Sequence, residues 1–210
     1  FIVFAEIGNQ CIIQDAPLPQ IINDTLAKVS AELYLRPSIL KDPLLHRINM
    51  GTNSPAIIHM SLVEGNKLKL QIAQKGGGAE NMSQLKMFTP SACPDDIIDF
   101  TLNTVQRAKG NACPPLIIGI GIGGNFETCA ILAKKALLQP LSHKNPIAEY
   151  AKLEQDILES VNNTGIGVQG MGGKNTALAV HILTNPCHIA SLPVAVNLQC
   201  HSHRHTEIII

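Results

Sequence analysis

Cys113 and Cys200 are the residues best placed to do chemistry: each adjoins a glycine- or valine-rich apolar run, and one precedes a proline pair while the other precedes a His/Arg cluster. Neither belongs to a CxxC pair. A lone thiol where a buried strand opens into a polar loop suits a ligand supplied singly from distant segments, as an iron–sulfur cluster can require. The tail around Cys187-His188 and Cys200-His201-Ser202-His203-Arg204-His205 raises zinc as a second possibility. Its spacing argues against it. Residues 201, 203 and 205 share one face of an extended segment while residue 200 faces the other way, and no CxxC completes a site. His201, His203 and His205 therefore read equally well as structural side chains, and His188 is the histidine favoured for function.

Glycine clusters mark three further places where main chain must adopt special dihedrals or approach something closely: 76–78, 119–124 and 165–173. Successive amides at Gly76-Gly77-Gly78, beside Lys75, can form a nest for an anion, either carboxylate or phosphate, although the spacing is not that of a P-loop. Gly119, Gly121 and Gly124 satisfy GxGxxG between a strand and a helix. The acidic residue expected roughly 20 positions later in a dinucleotide site is missing, and His143-Lys144-Asn145 stands in that region instead.

The elements that must position these groups follow from periodicity. Ile22, Leu26, Val29 and Leu33 give a helix over 21–34, and Pro94-Asp95-Asp96 opens another that runs to about Ala108. Helices are also expected over 126–138 and, surface-lying, over 147–161. Strand patterns cover 1–5, 56–60, 67–73, 116–120, 176–183, 192–196 and 208–210, with 176–183 open to a helical reading because it is alanine-rich. The Val-Glu-Gly-Asn turn predicts that 56–60 and 67–73 pair as a hairpin. Mixed short strands and helices without strict βαβ alternation predict an α+β fold, a mixed or antiparallel sheet with surrounding helices.

Composition bounds the function. With 210 residues, 45% of them hydrophobic, the chain can hold one large core or two modest domains, and residues 1–210 are read as a single domain fragment. Sixteen basic residues balance sixteen acidic ones, with no basic block interleaved with aromatics, so no nucleic-acid partner is expected. Six cysteines without paired spacings point to a reducing, cytoplasmic or organelle-matrix setting. No apolar stretch reaches the roughly 20 residues of a membrane span. The chain opens on Phe1 without a methionine and stops on three isoleucines, which reads as a segment of a longer polypeptide.

Four long motifs in order, KGGGAENMS (75–83), ACPPLIIGIGIGGNFE (112–127), VQGMGGKNTALAVHI (168–182) and HIASLPVAVNLQCHSHRH (188–205), resemble the iron–sulfur-dependent class I fumarate hydratases, specifically their N-terminal half or separate alpha subunit. The resemblance runs from residue 1 to 210. It implies a 4Fe-4S cluster held by three cysteines, of which two map onto Cys113 and Cys200 and the third belongs to a Cys-Gln-Asp-Thr-Gly motif expected upstream of Phe1. It also implies substrate contacts from Arg36 and Gly78, a catalytic role for His188, a small dicarboxylate substrate, a C-terminal half or beta subunit as partner, and an oligomer. The implied activity is the reversible hydration of fumarate to L-malate, with an open-coordinate iron acting as Lewis acid. Alternatives are a tartrate or related hydroxy-dicarboxylate dehydratase alpha subunit, a dinucleotide-binding module built on Gly119–Gly124, and an inert fragment retaining the fold. With one cluster ligand expected elsewhere, the 210-residue segment alone is expected to be inactive and to hold a cluster poorly.

Overall fold

In the computed structural model, which describes residues 1–210, the opening apolar run forms β1 (Ile2–Gly8). β1 lies inside a four-stranded mixed sheet of order β2-β1-β3-β8, where β2 is Ile57–Val63, β3 is Leu68–Ala73 and β8 is His205–Ile209. The helix α1 (Leu18–Glu32) packs Leu18 and Ile22 against Val3, Ala5 and Leu68. It starts three residues before the periodicity suggested, because Pro19 fits a first turn whose amides have no helical partner. Together these elements make one compact unit, Phe1–Gln74 with Arg204–Ile210.

The expected hairpin is not formed. β1 is inserted between β2 and β3, parallel to the first and antiparallel to the second, so that Val3 pairs with Ile58 on one side and Ile72 on the other. Burial explains the order. Residues 2–5 of β1 are all buried, as an interior strand must be, whereas β2 is half to fully exposed along its length and occupies the edge.

The second compact unit, Lys75–His203, is built on a sheet of order β4-β7-β5-β6. These strands are β4 (Gln84–Phe88), β5 (Leu116–Gly123), β6 (Ala177–Asn185) and β7 (Leu192–Gln199). β5 runs parallel to β6 and antiparallel to β7, and β4 runs antiparallel to β7. Two helices, α3 (Pro94–Ala108) and α5 (Ala148–Asn162), cover one face through Ile97, Val105, Ile157 and the inward residues Ile118, Val180 and Val196. The helix α4 (Phe126–Ala136) lies on the other face, bringing the buried Cys129 and Ala133 to Ala195. Both sheets are mixed and flanked by helices, which is the α+β class expected from the sequence. β4 was not anticipated, and the alanine-rich 177–185 stretch is a strand.

Helix ends obey local chemistry. Pro94 starts α3 while Asp96 accepts the Cys93 amide at 2.8 Å, and Asn125 caps α4 by accepting the Thr128 amide at 2.9 Å. No helix is long and apolar enough to cross a membrane.

The GxGxxG run has a packing task in this unit. A Cβ on Gly121 would stand 2.0 Å from the carbonyl oxygen of Cys129, and one on Gly119 would stand 2.2 Å from that of Ala133, so α4 rests directly on the backbone of β5. Replacing Gly121 by alanine is expected to force α4 outward and cost about 1–3 kcal/mol. The check is urea unfolding: the midpoint should fall at unchanged slope, and an unaltered midpoint would show that the helix does not sit on bare backbone.

Candidate functional site

Cys113 ends a 3₁₀ turn, Lys109–Ala112, just before β5, and Cys200 follows the last residue of β7. Because β5 and β7 are antiparallel neighbours, with Ile117 opposite Gln199, the start of one and the end of the other lie at the same end of the sheet. The contact is direct: the His201 amide donates to the Cys113 carbonyl at 3.3 Å, and His201 Nδ1 lies 3.1 Å from the same oxygen. Cys113 is exposed and Cys200 half-buried, the latter with Sγ 2.8 Å from Ser202 Oγ.

Three loops interlock around these thiols. Gly110 meets a second 3₁₀ turn, Val168–Gly170, so closely that a Cβ on it would lie 2.8 Å from the Gln169 carbonyl oxygen, and one on Gly170 would lie 2.8 Å from Gly110 Cα. The Gln169 amide donates to the Pro114 carbonyl at 2.9 Å, and its side-chain nitrogen reaches both that carbonyl and His201 Nδ1 at 3.3 Å. The third loop is the triple glycine. Gly78, in the one-turn helix α2 (Gly77–Glu80), abuts the same turn, its would-be Cβ 2.9 Å from the Asn111 carbonyl oxygen.

Backbone strain collects here. Every non-glycine residue of this unit with a positive φ lies in these loops or in the tail after Cys200: Lys109 (45°), Cys113 (56°), Gln169 (55°) and His203 (39°). Such conformations cost of order 1–3 kcal/mol each and persist where surrounding contacts over-determine them, as they do in sites built to hold something.

The triple glycine is not an open anion nest. None of its glycines has a positive φ, and Lys75 turns inward, its side chain 5% exposed. The ammonium donates to the Leu198 carbonyl at 2.6 Å and pairs with Glu80 Oε2 at 3.0 Å, while Lys134 of α4 binds the other Glu80 oxygen. Ser83 Oγ accepts the Leu198 amide at 3.1 Å. Both main-chain groups of Leu198, two residues before Cys200, are thus held by side chains of the 75–83 loop. Burial pushes the Lys75 ammonium down, against the opposing pull of Glu80. Burial would raise the Glu80 carboxyl, but the charge of Lys75 and the hydrogen bond and charge of Lys134 outweigh it and hold the carboxyl below the usual glutamate range.

The remaining sequence-expected residues fall elsewhere. His188 lies in the exposed loop between β6 and β7, with Nδ1 accepting the Ala190 amide at 3.1 Å. That loop enters β7 at the end opposite Cys200, roughly 25 Å away along an eight-residue strand. Arg36 belongs to the first unit and borders a cavity of about 430 Å³ with Ser30, Tyr34, Thr52 and Asn53. Within the second unit, then, Cys113, Cys200 and Gly78 come together and His188 does not join them. Lys75, Ser83, Gln169 and His201 were not expected at the site. Of these, Lys75 carried a signal only as a charge beside an anion nest, and His201 only as a metal ligand or structural side chain.

As a ligand set, the two thiols suit iron–sulfur ligation: soft donors, accessible, on adjoining rigid segments. No group of three or more His, Cys, Asp or Glu side chains is placed to hold a metal ion.

The family described as fumarate hydratase (fumerase) matches residues 1–209. A protein of Methanocaldococcus jannaschii named "Putative L(+)-tartrate dehydratase subunit alpha" is 40% identical over 211 residues, covering 97% of this chain and 73% of its own length. L(+)-tartrate dehydratase subunit alpha of Escherichia coli O157:H7 and that of strain K12 are each 30% identical over 162 residues, 77% of this chain. The chain spans about half the length of these E. coli relatives, 54% in each alignment.

The ion network carries a pH signature. Because the folded Glu80 carboxyl titrates below its ordinary value of 4.5, its contribution is present above that pH and is lost as pH falls through the depressed folded value. Glu80→Gln is expected to lower the thermal midpoint at neutral pH and to flatten its decline in acid. Parallel acid profiles for the two proteins would show that the network does not support the fold.

Proposed function

The chain belongs to the fumarate hydratase (fumerase) family, and from that membership we propose that it is the cluster-bearing alpha part of a hydro-lyase that reversibly hydrates fumarate to L-malate. The observation that supports this reading best is the meeting of Cys113 and Cys200 at one end of β5 and β7, against the triple-glycine turn. Cys113 and Cys200 are the residues that would hold a 4Fe-4S cluster. Bound there, it supplies a Lewis-acidic iron for the substrate's carboxylate and hydroxyl.

The chain's own residues bind and orient. Gly78 is exposed, and its amide lies in the first turn of α2, where main-chain donors have no helical acceptor; it is assigned to a substrate carboxylate oxygen. The Arg36 guanidinium, bordering its cavity in the first unit, offers a two-pronged donor to a carboxylate. The clamp of Lys75 and Ser83 on Leu198 keeps Cys200 at fixed height relative to Cys113. His188, a full strand length from the thiols, serves the same reaction only if a second copy of the chain presents it, which accords with an oligomer. The beta part, or a C-terminal half, is proposed as the partner that completes the site. Free cysteines throughout the chain suit a reducing, cytoplasmic setting.

A second reading, dehydration of L(+)-tartrate, is favoured by the names of the M. jannaschii and E. coli relatives. One experiment addresses both. The full-length protein, reconstituted anaerobically with iron, sulfide and its beta part, is expected to be brown, oxygen-labile and active on fumarate. Cys113→Ser and Cys200→Ser should each remove colour and activity. Turnover of tartrate but not fumarate selects the second reading; colour that survives both substitutions rejects the cluster assignment.

A further inference from the structure

His181 is buried for no purpose that the hydration reaction supplies. It lies on β6 opposite Gly119 of β5, on the sheet face covered by α4, and is 2% exposed. Neither of its ring nitrogens has a hydrogen-bond partner. A neutral imidazole carries one N–H to donate and one lone pair to fill, and leaving both bare in an interior is costly. Something absent from the protein's own hydrogen bonds has to meet them.

The ring borders a cavity of about 340 Å³ lined also by Ser142, His143, Lys144, Glu154 and Gln155. His143, half-buried in the connection between α4 and α5, presents its ring 5.8 Å from that of His181, centre to centre, at 69°. Metal–nitrogen bonds of about 2.0–2.1 Å put the centres of two imidazoles sharing one ion about 5–6 Å apart. Stacked rings could not aim lone pairs at a common point; steeply inclined ones can. Burial, and then the charges of His143 and His203, push His181 down to about 4, so its lone pair is available at neutral pH.

Two groups nearby are committed. Glu154 Oε1 accepts the Ile182 amide at 2.7 Å and the Asn145 side-chain amide at 3.0 Å, which makes that carboxylate a brace for β6. His203 Nε2 lies 2.7 Å from the Leu137 carbonyl. A neutral, unprotonated His181 has no charge to offer an anion, and the cavity opens to solvent.

We propose that His143 and His181 form a two-imidazole site for an exchangeable divalent first-row transition ion of the zinc type, with water completing its coordination. The ion ties the α4–α5 connection to β6. It is separate from the thiols: no third His, Cys, Asp or Glu joins the pair.

Cobalt(II) is the probe, added to the full-length protein after native alkylation of its accessible thiols. Binding of one equivalent is expected, with weak visible bands, no thiolate-to-cobalt charge-transfer band, and a raised thermal midpoint. His143→Ala, at a half-buried loop position that the fold tolerates, should weaken binding at least as much as loss of a supporting hydrogen bond does in metal sites, about 10–100-fold, and abolish the thermal shift. His181→Phe should do the same where it folds. Equal cobalt affinity in the wild type and His143→Ala would overturn the proposal. So would failure of the alkylated protein to bind cobalt, the result expected if a fixed water is all that His181 meets.

Discussion

A buried lysine governs the geometry of the second unit. β7 needs partners on both edges to its last residue, yet β4 begins at Gln84 and pairs no further along β7 than Val196. Beyond that point two side chains stand in for a strand: Lys75 fills the carbonyl of Leu198 and Ser83 takes its amide. Burying an ammonium costs several kcal/mol unless it is paired and fully hydrogen-bonded. Glu80 provides that compensation, and by binding Lys134 through its other oxygen it also fastens α2 to α4. The end of β7 is therefore held by groups that cannot relax independently, and Cys200 follows it directly.

Cys113 is fixed by a different device with the same outcome. Its turn is locked between Gly78 on one side and the 168–170 turn on the other, at approaches that no side chain larger than hydrogen fits. Left-handed backbone at Lys109, Cys113 and Gln169 is the cost of that closeness. Rigid main chain, rather than flexible side-chain reach, sets where the thiol points, which suits a ligand whose bond lengths tolerate little error.

Much of this was legible in the sequence, and the omissions have physical causes. Helical periodicity and proline or acidic starts located α3 and α5 closely, because those signals are local. The hairpin between β2 and β3 was misread because strand order is a tertiary choice: a turn only says that two strands are consecutive, and the more apolar β1 took the position between them. Lys75 reads in the sequence as a charge beside an anion nest because a lysine among glycines carries no local mark of burial; its partners, Glu80 and Leu198, lie 5 and 123 residues away. The separation of His188 from Cys200 was equally hidden. Twelve residues apart along the chain, they are divided by a strand whose direction alone determines that they face opposite ends of the sheet.

The glycine clusters show why residue type underdetermines purpose. All three were flagged as places where backbone approaches something, and in each case it does, but what it approaches is mainly the protein itself. Gly119 and Gly121 admit α4, Gly110 and Gly170 admit each other, and Gly78 admits the Cys113 turn. A dinucleotide fingerprint and a helix seated on a bare strand make the same demand for a missing Cβ, so the pattern cannot distinguish them without the acidic residue that only the ligand requires. Gly78 differs from the others in one respect. Its Cα side is filled by Asn111 while the residue remains exposed, so packing accounts for the glycine without consuming its amide. A close approach that serves the fold can in this way leave a main-chain donor uncommitted, so a structural reason for glycine does not exclude a chemical one.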